Sequence, residues 1–175
     1  MRAADVDREN DLFHSACLSI RRVVAIQVSV IGSGAENEER AEEVGRLLAE
    51  RGATVVTGGL GEVMAAAARG AKSVGGTTIG ILPGETRSEG NKWLDHVVVT
   101  GIGHGRNLAV VASGDAVIVV GGRYGTLAEI GFALTLGRPV VVLEPGLEVE
   151  GPRRAQTPDE AVEVALAGSR NTLGT

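Results

Sequence analysis

The chain reads as an α/β protein: a three-layer sandwich with a mainly parallel sheet of six or seven strands and helices on both faces. Three observations predict this. From residue 23 onward, β-branched runs alternate with segments of helical period. The runs are nearly continuous in apolar character, as in residues 23–31 (VVAIQVSVI), which suits strands buried on both faces. Glycine makes up 26 of 175 residues, with no collagen period, and clusters where the runs end. Those glycines belong in turns and at close backbone approaches.

Each element has its own signal. Residues 23–31 form the first strand, broken by Gly32-Ser33-Gly34. Residues 36–51 carry Ala41, Val44, Leu47 and Leu48 at helical spacing, and Gly52 is a stop signal. Residues 53–57 are a second strand, followed by Gly58-Gly59-Leu60-Gly61. An alanine-rich helix over 60–74 fits close packing on a sheet. Residues 77–82 are a third strand, stopped by Pro83-Gly84, and 85–93 read as a loop. A fourth strand covers 96–100, a helix 106–113, a fifth strand 115–120, a helix 125–136 and a sixth strand 139–143. The last helix starts at Thr157-Pro158-Asp159-Glu160 and runs to about residue 167. Thr at the cap, Pro next and Glu three after the cap are all suited to a helix start.

A length of 175 residues suits one domain. The expected division is an N-terminal arm over 1–22, either mobile or carrying a short helix across 12–18, and a single domain over 23–175. Asp5, Asp7, Glu9 and Asp11 give the opening neither the basic start nor the apolar core of a signal peptide, so a cytoplasmic location is expected. No apolar run reaches the ~18 residues of a membrane span. Net charge −5 and 2% aromatics argue against a nucleic-acid partner. Cys17 is the only cysteine, and His14, His96 and His104 are far apart in the chain, so no metal site is expected.

Ligands of open α/β sheets bind at the carboxyl ends of strands, near the point where strand order reverses. Three glycine-rich segments follow expected strands: Gly32-Ser33-Gly34, Gly58-Gly59-Leu60-Gly61 and Gly121-Gly122-Arg123-Tyr124-Gly125-Thr126. Glycine lets backbone N–H groups approach an anion, and the helix that follows presents its positive end. Phosphate or nucleotide binding is the reading of the set. The third glycine of a dinucleotide-binding motif is missing after the first strand, no G-x-x-x-x-G-K-[ST] stretch exists, and no G-x-S-x-G is present.

The order Gly-Ser-Gly, Thr57-Gly58-Gly59-Leu60-Gly61, Arg106-Asn107 and Gly-Thr-x-x-Glu resembles the LOG superfamily over residues 23–143. That group was long labelled lysine decarboxylase-like and includes cytokinin-activating phosphoribohydrolases. Its signature is P-G-G-x-G-T-x-x-E. Gly122, Gly125, Thr126 and Glu129 match, while Gly121 replaces the proline and Arg123 the second glycine. Arg-Asn-Leu ahead of the fifth strand is closer to the small branch that includes molybdenum cofactor carrier proteins. The resemblance implies a Rossmann-like fold and a homodimer or homotetramer. The apolar content of residues 129–136 agrees with self-association.

Two functions follow from the resemblance. In the first, a small-molecule phosphate ligand, a nucleotide or a pterin such as molybdenum cofactor, lies on Gly32, Ser33, Gly58, Gly59, Gly61, Gly122, Arg123, Gly125 and Thr126, with no other cofactor required. In the second, the chain is a nucleoside 5′-monophosphate phosphoribohydrolase. Glu129 then acts on the attacking water or the ribose hydroxyls, and Arg106 orients Glu129 or the substrate. Arg123 in place of glycine favours the first. Lysine decarboxylation is not supported, since only Lys72 and Lys92 exist and neither is marked for a Schiff base. Thr126-Leu127-Ala128-Glu129 can also be read as a capping box that starts a helix.

Overall fold

The computed structural model describes residues 25–173, with side chains to 169. The expected arm and Cys17 lie outside the described residues.

Seven strands form one sheet, all parallel. In chain order they are β1 (Gln27–Ser33), β2 (Thr54–Thr57), β3 (Thr78–Leu82), β4 (His96–Val99), β5 (Ala116–Gly121), β6 (Val140–Leu143) and β7 (Arg153–Ala155). Their spatial order is β4-β3-β2-β1-β5-β6-β7. The chain builds outward from β1 to β4, then returns to β5 on the other side of β1. Strand order therefore reverses between β1 and β5, whose register brings Ser33 beside Gly121 at their carboxyl ends. With helices on both faces, this is a Rossmann-like α/β sandwich.

Among the described residues the five α-helices are α1 (Glu38–Glu50), α2 (Val63–Ser73), α3 (Arg106–Ser113), α4 (Tyr124–Thr135) and α5 (Pro158–Leu173). Period-two alternation in the strands splits the core. Val28, Val30, Val55, Ile118 and Val120 face α1, α2 and α5. Ile31, Val56, Val117 and Val119 face α3 and α4. The second face is less sealed: Leu108 of α3, Leu127, Phe132 and Leu134 of α4, and Leu136 just after it stay exposed.

Two elements differ from expectation. β7 carries no strand signal, because Arg153-Arg154-Ala155 is a three-residue edge with both arginines exposed. It pairs only with β6, and charge on an edge strand needs no apolar period. α5 also runs past residue 167. Gly168 is no stop there: a Cβ on it would lie 2.7 Å from Pro139 Cβ, so the missing side chain lets the helix lie close to the start of β6.

Candidate functional site

The three glycine segments converge at the reversal point. Gly32, Ser33, Gly58, Arg106, Arg123, Gly125, Thr126 and Glu129 all line one cleft of about 250 Å³. Its floor is the carboxyl end of β1, and its walls are the β2–α2 turn and the first turns of α3 and α4. The other three expected residues do not line it. Gly59 is buried, and a Cβ there would meet Leu82 Cδ2 at 2.5 Å. Gly61 is exposed on open space. Gly122 packs on the Thr126 side chain.

Arg106 is set at the start of α3, and Ser29 Oγ donates to Val110 O at 2.7 Å, tying that helix to β1. Arg106 is 7% exposed. Nη2 donates to Gly58 O at 3.2 Å, and Nη1 donates to Asn107 Oδ1. A Cβ at residue 58 would lie 2.5 Å from Nη2, so glycine is required there for the arginine to enter. Nη1 also faces Glu129 Oε1 at 4.0 Å. Buried Arg106 Nε has no partner among the described residues.

Glu129 is equally buried. Burial drives its carboxyl up to about 7, against the opposing pull of Arg106. Burial likewise lowers Arg106, against the pull of Glu129. Desolvation outweighs attraction for both groups, because the pair is separated and not joined by a direct hydrogen bond. A carboxyl near 7 can hold or release a proton at neutral pH.

α4 begins at Tyr124, with Arg123 as its cap residue and no side-chain cap bond. Thr126 is therefore the third helical residue and not a cap, and Glu129 turns to Arg106 instead of the helix start. The capping box expected as an alternative at these residues is not formed. Thr126 is 5% exposed, and its hydroxyl has no hydrogen-bond partner among the described residues. The Arg123 guanidinium is exposed and also without a partner among them. Together with the open amides of a helix first turn, these are donors for an anion.

Sequence reasoning passed over three contributors. Asn91 Nδ2 donates to Gly59 O at 3.1 Å and Leu60 O at 2.9 Å, fixing the second glycine turn from a segment read only as loop. Met64 lines the cleft from α2. Glu62 accepts from Gly34 N–H at 2.7 Å. None belongs to a glycine motif, and only the tertiary fold brings them to it. No group of three metal-ligating side chains occurs among the described residues.

Residues 25–172 match the model of the SLOG cluster 4 family. The chain belongs to that family. It lies in the LOG superfamily near the molybdenum cofactor carrier branch. An uncharacterized protein of Archaeoglobus fulgidus is 45% identical over 147 residues, covering 82% of this chain and 97% of that one. A cytokinin riboside 5′-monophosphate phosphoribohydrolase of Mycobacterium tuberculosis is 34% identical over 140 residues, 74% of each chain. The molybdenum cofactor binding protein of Rippkaea orientalis superposes with a TM-score of 0.77 at 30% identity, covering 87% of this chain and 99% of that one. Among the described residues, no helix is long and apolar enough to cross a membrane.

Proposed function

We propose that this chain binds a small phosphate-bearing ligand, a nucleotide or a pterin such as molybdenum cofactor, in the cleft between β1, β2 and β5. One observation carries the reading: the Thr126 hydroxyl and the Arg123 guanidinium line the cleft without partners among the described residues, at the start of α4. A hydroxyl that opens on a cleft with no protein partner is free to donate to a ligand. Arg123 adds a fork that suits phosphate. The names of the Rippkaea orientalis and Mycobacterium tuberculosis relatives, a molybdenum cofactor binder and an enzyme of a nucleoside monophosphate, support a ligand of this class.

A second reading rests on Glu129. With its carboxyl near 7 and 4.0 Å from Arg106, it has the protonation range to act on water or a ribose hydroxyl in hydrolysis of an N-glycosidic bond, giving base and ribose 5-phosphate. Calorimetry with AMP and other nucleoside monophosphates tests the first reading, and release of free base from the same mixtures tests the second. We expect binding without turnover, weakened about tenfold or more in Arg123→Ala by the loss of a charge-assisted contact. Unaltered binding in that variant would move the phosphate away from α4. Base release that stops in Glu129→Gln would make the protein an enzyme.

We also infer self-association through α4, whose Tyr124, Leu127, Phe132 and Leu134 are exposed, as is Leu136 at its end. Light scattering at micromolar concentration should give a multiple of 17.9 kDa. A single species at that mass would refute this.

A further inference from the structure

Glu62 is the only non-glycine residue with positive φ among the described residues, at 51°. That region is uncommon for side chains of this kind and is held only when something else fixes it. Here two contacts fix it. The Glu62 carbonyl accepts Ala66 N–H at 2.9 Å as α2 begins. Its carboxylate accepts Gly34 N–H at 2.7 Å across the gap to the first glycine segment. Glu62 and Arg123 line one recess of about 140 Å³ with Ser33 and Gly34. Ser33 and Arg123 also line the main cleft, so the recess and cleft are continuous.

The chemistry of this recess is divided. A glycine amide and an unpaired guanidinium are what an oxyanion seeks. The chain gives the amide an oxyanion of its own and leaves the guanidinium open. No cation pairs with Glu62 among the described residues. A phosphate reaching Arg123 therefore meets a like charge already seated on the neighbouring amide.

We propose that Glu62 is a resident competitor for the anion site. Its carboxylate holds the first glycine segment against the ligand's phosphate and keeps binding loose enough for release. The inference rests on the phosphate-ligand reading above and adds to it the residue that sets the strength of the grip.

The test is AMP binding by calorimetry in the wild type, Glu62→Gln and Glu62→Gly. Glu62→Gln keeps the acceptor geometry and removes the charge. Glu62→Gly removes the side chain and suits the positive φ, so a raised melting temperature shows that it folds. Both should bind AMP about tenfold more tightly at low salt, and the gain should shrink at about 0.5 M salt, where like-charge repulsion is screened. Equal or weaker binding in both variants, with wild-type binding still sensitive to Arg123→Ala, would overturn the role of Glu62 and leave the phosphate site standing. AMP binding by none of the three proteins would overturn both.

Discussion

The chain spells T-x-x-E at the start of two α-helices, and the two copies do different things. At Thr157-Pro158-Asp159-Glu160 the hydroxyl accepts Glu160 N–H at 3.2 Å, and Glu160 Oε2 accepts Gln156 N–H at 2.7 Å. That is a working cap, solvated and local. At Thr126-Leu127-Ala128-Glu129 the helix has already begun two residues earlier, both polar side chains are buried, and the glutamate faces an arginine 23 positions back in the chain. The letters are the same. What differs is the preceding segment: Pro158 pre-sets the first helical residue of α5, whereas the glycines before α4 let the chain enter the helix from a turn under the sheet edge. A cap motif is therefore a local proposal that tertiary burial can override.

Replacing the partner of the buried copy should give the largest effect. Arg106→Leu leaves the Glu129 carboxyl with no opposing charge and frees Gly58 O. Breaking a buried pair from one side costs about 3–5 kcal/mol when the remaining group stays charged. At pH 5 Glu129 is protonated in both proteins, so only packing and the bonds to Gly58 and Asn107 are lost. At pH 8 the wild type carries the ionised pair and the variant cannot. Urea unfolding should thus show a larger loss at pH 8 than at pH 5. An equal loss at both would mean that the two side chains do not sense each other.

Glu129 itself predicts a pH slope. Its folded value of about 7 lies above the ordinary 4.5. Between those values the native state holds a proton that the unfolded chain has released, so the stability contributed by Glu129 is greatest below about pH 4.5. It falls as pH rises through 7. At ~1.4 kcal/mol per unit the whole contribution is about 3 kcal/mol. Glu129→Gln should remove this decline. A wild-type curve with no loss of stability over that interval would show that the carboxyl is not desolvated as the geometry requires.

Much of this was legible from sequence because burial on both faces writes itself into composition. β5 and β6 are nearly continuous β-branched runs, β1 carries Val28, Val30 and Ile31, and the glycines after β1, β2 and β5 mark the carboxyl ends where the cleft lies. Arg106, Arg123, Thr126 and Glu129 are all found there. The rest was not legible for physical reasons. β7 is a charged edge of three residues. Gly59 and Gly61 share a motif with Gly58, but only Gly58 touches the cleft, since a turn points successive residues in different directions. Asn91 and Glu62 act through hydrogen bonds spanning 32 and 28 residues, which no local pattern encodes.

The smallest effects separate the two threonines directly. Thr157→Ala removes a solvated cap and should cost about 1 kcal/mol. Thr126→Val keeps the shape that packs against Gly122 and removes a hydroxyl that no described residue satisfies. Burying a methyl in place of an unpaired hydroxyl carries no lost bond, so the ligand-free protein should be unchanged or slightly more stable. Affinity for AMP should fall instead, because the hydroxyl is then missing from the anion site. Thermal unfolding with and without AMP reads both quantities in one experiment. A Thr126→Val loss as large as that of Thr157→Ala, with AMP stabilisation intact, would show that the Thr126 hydroxyl serves the fold and not a ligand, and the two T-x-x-E segments would then differ in burial alone.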